Sequence, residues 1–236
     1  MAGSRPAAGG GRWIEVDPER LPAWLDGFAA RHGAATVSGT EDGLEAVAAD
    51  GAVARVRAPF PPAGGFAGVG DAEAVAGAVS AHAAADRLVG VVLVRRGGHA
   101  AGVFRGATLL ASKVGGAYVQ GRTKAGGWSQ QRFARRRANQ ADRAVRDAAA
   151  VAARVLLPHA AGLDAVVLGG DRAMASATMG DPALAPLRHL PAGPFLHVPD
   201  PRLAVLEAAP RRFRALRVHL VEPEAPAPGE GQRAVT

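Results

Sequence analysis

The composition of this chain of 236 residues is that of a folded protein without disulfides: 48% of the residues are hydrophobic, 21% are charged and none is cysteine. This balance excludes disorder throughout, and the missing cysteines exclude a disulfide framework, a thiolate zinc site and a cysteine nucleophile. No apolar stretch reaches the roughly 20 residues that span a bilayer, and the start lacks the apolar region of a secretory signal. We therefore expect a cytoplasmic protein with no membrane contact.

The positive charge is concentrated in one segment. The chain has 28 Lys and Arg against 21 Asp and Glu, a net charge of +7. Eight of these cations and a single anion, Asp142, lie between Gly121 and Arg146, so the remainder of the chain is electrically balanced. Charge focused on one element indicates a polyanionic partner, such as RNA, DNA or a phosphate-rich ligand.

The N-terminal part of the chain is predicted to form a small α+β subdomain, residues 13–75, after a flexible lead, residues 1–12. Four apolar residues recur at helical spacing behind an Asp-Pro-Glu start signal: Leu21, Trp24, Leu25 and Phe28. Alternating residues on either side of Asp42-Gly43 and Asp50-Gly51 then predict hairpins.

Residues 76–222 are predicted to form a mixed sheet covered by helices, and residues 223–236 a flexible tail. The predicted strands are 88–94, 101–105, 108–114, 164–168, a strand near 195–198, and 213–221. Between the third and fourth strands, apolar residues recur every three or four positions until Pro158, which predicts an amphipathic helix of about 28 residues. The predicted fold class of the chain is therefore α+β.

The segment that joins the third strand to this helix is the most unusual in the chain. Gly126 and Gly127 have no side chain, so the backbone can approach a ligand closely, and the helix N-terminus favours an anion. Gln130 and Gln131 follow; glutamine is a poor base, so a site here would position water and donate hydrogen bonds to an oxyanion. A glycine hinge with two solvated glutamines explains the same residues without any function.

An aromatic residue and a run of cations accompany the glycines. Trp128 lies between polar residues, where its indole could stack on a base. The candidate phosphate-binding cations are Arg122, Lys124, Arg132, Arg135, Arg136 and Arg137. A solvated helix face accounts for such a run equally well, but its continuation across the loop favours phosphate binding.

Other candidate sites have simpler explanations. The seven histidines show no metal-ligand spacing, so no metal and no other cofactor is predicted. Asp171, which follows two glycines after a predicted strand, is explained as the N-cap of a helix. The glycines of 97–102 lie in a predicted hairpin and form no dinucleotide fingerprint.

The run from Gly126 to Asn139, GGWSQQRFARRRAN, resembles a known catalytic element. It is similar to the Gly-Gly-Gln loop and following helix of eukaryotic class-one peptide-chain release factors. It resembles more closely the Vms-like release factors, which include an actinobacterial branch. The resemblance implies a ribonuclease-H-like mixed sheet in which the catalytic loop leads into a long helix.

The same resemblance implies a function and a set of site residues. Vms-like proteins release nascent chains from stalled ribosomes by hydrolysing the peptidyl-tRNA ester. Their Gly-Gly then Ser-Gln pattern is satisfied by Gly126, Gly127, Ser129 and Gln130 if Trp128 is an insertion, which makes Gln130 the catalytic glutamine and Gln131 its substitute. The implied partners are the large ribosomal subunit and peptidyl-tRNA, bound by the cations named above, and we expect a monomer.

Three other functions compete with this one. Trp128 could disrupt the loop and leave a non-catalytic ribosome- or RNA-binding factor. Relatives have also been associated with cleavage of tRNA near its CCA end. A magnesium-dependent nuclease would need clustered carboxylates, which the sequence does not show. Because no codon-reading domain is evident, we expect rescue of stalled peptidyl-tRNA and not stop-codon decoding.

Overall fold

The computed structural model describes residues 4–8, 10–61, 64–116 and 130–223. The chain divides into two compact units, the first comprising Met1–Ala58, Pro62–Ala81 and Leu216–Thr236, the second Pro59–Pro61 and His82–Ala215. No helix within the described ranges is long and apolar enough to cross a membrane. Helices and strands alternate irregularly in both units, which confirms the α+β fold class.

The helices and strands have these bounds in chain order: β1 (Ser4–Pro6), β2 (Arg12–Val16), α1 (Leu21–His32), β3 (Ala35–Gly39), β4 (Gly43–Ala48), β5 (Val53–Arg57), α2 (Ala72–Ala84), β6 (Leu88–Arg95), β7 (Gly98–Arg105), β8 (Thr108–Gly116), α3 (Gln130–Leu156), β9 (Ala165–Gly170), α4 (Arg172–Met179), α5 (Leu203–Glu207), α6 (Ala209–Phe213) and β10 (Leu216–Val221). Three short 3-10 helices cover Pro18–Arg20, Leu157–Gly162 and Pro182–Leu187.

The first unit is built on a six-stranded antiparallel sheet in the order β1-β2-β10-β5-β4-β3. Alternate residues of β4 and β5 are buried, as in a sheet with one covered face. Helix α1 packs against β4 and buries Leu21 and Phe28. The hairpins predicted around residues 42–43 and 50–51 are confirmed.

The second unit is built on a four-stranded mixed sheet in the order β8-β7-β6-β9. β6, β7 and β8 are antiparallel neighbours, and β9 pairs with β6 in parallel. β6, β8 and β9 therefore point the same way and end together at one edge of the sheet. The residues Arg95, Gly116 and Gly170 define this edge, which is called the carboxyl edge below.

The sheet of the second unit is buried on both faces. Val92, Val94 and Ala101 belong to one hydrophobic cluster with α3, whereas Val91 and Phe104 belong to another that contains residues of α5 and α6. A strand covered on both sides has no polar alternation, which explains the continuous apolar run of β6. This run made β6 easy to predict.

The structure differs from the prediction in three elements. Residues 195–198 form no strand, because only Leu196 makes an isolated bridge, to Gly169. The last strand begins at Leu216 because Phe213 ends α6. Helix α2 was not predicted, since its alanine-rich sequence carries little contrast between an apolar and a polar face.

The grouping of the elements also differs from the predicted bounds. β10 pairs with β2 and β5, so it belongs to the first unit, although the sequence analysis placed it in the domain 76–222. Residues Ser4–Pro6, inside the predicted flexible lead 1–12, pair with β2. The pairings of β10 join distant parts of the chain and leave no trace in the local pattern. Of the predicted tail 223–236, all but residue 223 lies outside the described residues.

Candidate functional site

The long helix α3 begins at Gln130, the residue predicted to be the catalytic glutamine, and has 27 residues against the predicted length of about 28. Gln131 is the second residue of its first turn. The first N–H groups of a helix have no partner within the helix, and the macrodipole places partial positive charge there. The backbone at Gln130 is therefore suited to an anion or a developing oxyanion.

The C-terminal half of α3 is anchored in the second unit. Ala144, Ala148, Ala152 and Val155 are buried in the cluster that also contains residues of β6 and β7. The residues between them on the opposite face are exposed, among them Arg143, whose side chain keeps 81% of its surface accessible. The predicted amphipathic stripe is confirmed for this half of the helix.

The direction of α3 carries its first turn past the carboxyl edge of the sheet. Its last residue, Leu156, packs on Gly90 near the start of β6, where an added Cβ would lie 2.8 Å from the leucine Cδ2. Asp147, nine residues earlier, interacts electrostatically with His99, which pairs with Val94 of β6. The segment from Asp147 to Leu156 spans about 13 Å of helix, and the segment from Gly90 to Val94 spans about 13 Å of strand, so α3 runs beside β6 over this length. The 17 residues before Asp147 add about 25 Å of helix beyond this point.

His99 is a buried titratable group at the base of this arrangement. It retains 7% of its surface and lies one residue from the start of β7, paired with Gly115 of β8. Burial lowers its pKa from the ordinary value of 6.5, and the nearby Asp147 opposes this shift. The sequence analysis found no metal-ligand spacing among the histidines, and the glycine that faces His99 across the sheet is visible only once the strand register is known.

The predicted site residues fall into two groups. Arg122, Lys124, Gly126, Gly127, Trp128 and Ser129 lie outside the described residues. The backbone of α3 includes the remaining six, Gln130, Gln131, Arg132, Arg135, Arg136 and Arg137. Helix geometry places Arg132 and Arg136 on one face, one turn apart.

Two further expectations concern caps and metals. The Asp171 carboxylate accepts a hydrogen bond of 3.0 Å from the backbone N–H of Met174, which confirms it as the N-cap of α4. In the parts of the chain that the structure describes, no group of three or more His, Asp or Glu side chains could hold a metal ion.

The family of the chain follows from its second unit. The sequence profile described as "Actinobacteria/chloroflexi VLRF1 release factor" matches residues 87–219. The chain belongs to this release factor family. The match in the VLRF1 family member extends from β6 into β10 and includes α3 and every predicted site residue.

Two solved structures of low similarity accompany this match. The archaeal translation termination factor aRF1 is 17% identical with a TM-score of 0.36, over 52% of this chain and 36% of that one. A structure described as an archaeal protein is 15% identical with a TM-score of 0.36, over 71% of this chain and 51% of that one. The VLRF1 family chain thus spans at most about half of either structure. None of the curated proteins compared with it matches significantly.

Proposed function

We propose that the protein frees nascent chains from stalled ribosomes by hydrolysing the ester of peptidyl-tRNA. The observation that supports this most is the start of α3 at the Gln130-Gln131 pair in a chain of the VLRF1 release factor family. A helix N-terminus and an amide side chain are both suited to binding an oxyanion. The partners are then the large ribosomal subunit and peptidyl-tRNA.

The strand order of the second unit supports a ribonuclease-H-like sheet. Three antiparallel strands, β6, β7 and β8, are followed by the long helix α3 and by β9, which lies parallel to β6 on its other side. Residues 117–129, which contain the candidate loop, follow the end of β8 in the chain and precede α3. The sheet holds the C-terminal half of α3 through a buried face, which begins at Ala144 among the described side chains.

The proposed chemistry is the attack of water on the ester carbonyl carbon. The Gln130 side chain orients this water or donates a hydrogen bond to the carbonyl oxygen, which becomes an oxyanion in the tetrahedral intermediate. The carbon–oxygen bond to the tRNA then breaks, and the 3′ oxygen takes a proton as the peptide leaves with a carboxyl group. Glutamine exchanges no proton itself, so positioning supplies much of the acceleration.

The cations near the loop are proposed to hold the RNA. Arg122, Lys124 and the helix arginines bind phosphates of the acceptor stem and of ribosomal RNA, and Trp128 stacks on a base. Residues one helical turn apart, such as Arg132 and Arg136, have Cβ atoms about 6 Å from each other, and such a pair is proposed to bind two phosphates of one strand.

One experiment separates this function from its alternatives. Purified ribosome complexes that carry peptidyl-tRNA, labelled on both peptide and tRNA, are incubated with the protein, and both products are sized. Ester hydrolysis gives free peptide and a tRNA of full length. A shortened tRNA with nucleotides still attached to the peptide would show cleavage near the CCA end. Stable binding without any product would show a non-catalytic factor, and either result would overturn the proposal.

A further inference from the structure

Residues 195–198 form an extended segment beside β9 in the second unit. The Leu196 backbone N–H donates to Leu168 over 2.8 Å, and its carbonyl accepts from Gly170 over 2.9 Å. Leu196 and Val198 are buried, whereas Phe195 is half-buried and His197 is exposed. The segment therefore presents an aromatic ring and an imidazole at the surface, beside the carboxyl edge. The two rings contact each other edge to face, with centroids 5.4 Å apart.

Three arginines from three different elements converge on this segment. Arg95, the last residue of β6, donates from Nη1 to the Val198 carbonyl over 3.0 Å. Arg212 of α6 donates from Nη1 to the His197 carbonyl over 2.6 Å. Arg172, the first residue of α4, holds its guanidinium carbon 4.2 Å from the centre of the Phe195 ring. We call these three arginines and the two rings the edge cluster: Arg95, Arg172, Phe195, His197 and Arg212.

The positive charges of the edge cluster are fixed in place without being neutralised. A carbonyl oxygen or an aromatic face orients a guanidinium but carries no negative charge, and each guanidinium has five N–H donors, so several stay unused. Among the described residues, no carboxylate forms an ion pair with Arg95, Arg172 or Arg212. The neighbouring carboxylate of Asp171 is engaged as the cap of α4.

The arginines of the first unit provide a contrast. On its sheet, Arg55 pairs with Glu45 at 2.6 Å and Arg57 pairs with Asp42 at 3.1 Å. The positive charge of each of these arginines is balanced by a carboxylate, so a phosphate would be bound only weakly. The edge cluster is the opposite case, since its guanidinium groups are held in place with their charge available.

We propose that the edge cluster is a second RNA-binding surface, which binds the phosphates of a single-stranded or looped RNA. Positively charged, pre-positioned guanidinium groups suit phosphate oxygens, and an aromatic or guanidinium plane suits an unstacked base. The surface lies at the carboxyl edge, where β8 ends and the candidate loop begins. It deepens the proposed function by giving the protein an RNA contact outside the loop and α3.

The test measures binding of a fluorescently labelled single-stranded oligouridylate over a series of salt concentrations. Wild type is compared with a variant that combines Arg95→Gln, Arg172→Gln and Arg212→Gln. The slope of log K against log salt is expected to become shallower by about two, since each phosphate contact contributes about 0.7 on a single strand. Arg55→Gln with Arg57→Gln is the control and should keep the wild-type slope.

Two further measurements keep the outcome decisive. Arg172→Glu changes an exposed residue whose guanidinium lies over the Phe195 ring, and it serves as the second variant if the triple variant unfolds. It should weaken RNA binding more than Arg172→Gln. Wild-type slope and affinity in these variants would overturn the proposal, as would binding of polyglutamate at this surface in place of RNA. Peptide release by wild type is measured separately. If the variants show the shallower salt dependence but wild type releases no peptide, the RNA-binding surface is supported and the proposed hydrolase function is contradicted.

Discussion

The imidazole ring of His99 occupies the space that a Cβ on Gly115 would fill on the neighbouring strand. This contact lies one residue before the end of β8, at the point where the chain leaves the sheet toward the candidate loop. The ring is buried, so it has little room to move aside. A glycine at position 115 is therefore a packing requirement at the base of the proposed site.

Replacement of Gly115 by alanine should destabilise the second unit. The added methyl group would overlap the His99 ring, and overpacking of this kind costs about 1–3 kcal/mol of unfolding free energy. Gly116→Ala is a matched control, because no atom of the described residues lies within 4 Å of a Cβ at that position. Urea denaturation of both variants is the measurement. Equal stabilities would contradict the contact between His99 and Gly115.

The stability of the second unit should fall as the pH is lowered below the ordinary histidine pKa of 6.5. Burial lowers the pKa of both His99 and His82 in the folded state. The unfolded chain then binds more protons than the folded one in this range, so each histidine costs up to about 1.4 kcal/mol per pH unit. His99→Gln should reduce the slope of unfolding free energy against pH.

The control for this titration is His189→Gln, which changes an exposed histidine of the same unit. A His99→Gln protein with the full wild-type slope between pH 7.5 and about 5.5 would show that His99 is not buried in its neutral form.

Loss of the Asp171 cap should weaken α4. Asp171→Ala removes the acceptor of the Met174 N–H and should cost about 1 kcal/mol of unfolding free energy. Asp171→Asn keeps an acceptor oxygen and should stay close to wild type. Urea denaturation distinguishes the two variants. If both lost the same stability, the charge and not the hydrogen bond would be responsible.

Neutralising the arginine run of α3 should weaken ribosome binding and leave the fold intact. A variant with Arg135, Arg136 and Arg137 changed to Gln keeps the buried face, which begins at Ala144 among the described side chains. Its affinity for purified large subunits should fall and depend less on salt, because fewer phosphates are contacted. Arg154→Gln, an exposed change near the other end of α3, is the control. Unchanged affinity, or unfolding of the triple variant, would show that these arginines form only a solvated helix face and bind no RNA.

Local patterns predicted the elements that carry the proposed site. The apolar run of β6 and the helical period that ends at Leu156 each reflect the burial of residues within that segment. Such burial can be predicted from the sequence of the segment alone. The pairing of β10 with β2 joins residues about 200 positions apart, which no local pattern encodes. The edge cluster was missed for the same reason. Arg95, Arg172 and Arg212 are far apart in sequence and meet only because their elements surround residues 195–198.

The role of the glutamine pair can be resolved because its members occupy different positions on α3. Consecutive residues are separated by about 100° around the helix axis, so Gln130 and Gln131 cannot take the same place at one substrate. The catalytic assignment to Gln130 therefore predicts unequal effects of the two substitutions. Gln140, an exposed glutamine farther along the same helix, offers a matched control.

The most direct test is the rate of peptide release from purified ribosome–peptidyl-tRNA complexes by wild type, Gln130→Ala, Gln131→Ala and Gln140→Ala. Gln130→Ala should lose about 100-fold or more in rate with ribosome binding retained, which is the cost of removing one oxyanion donor. Gln131→Ala should lose less, and Gln140→Ala should match wild type. Full activity of both Gln130→Ala and Gln131→Ala would contradict catalysis by the glutamine pair.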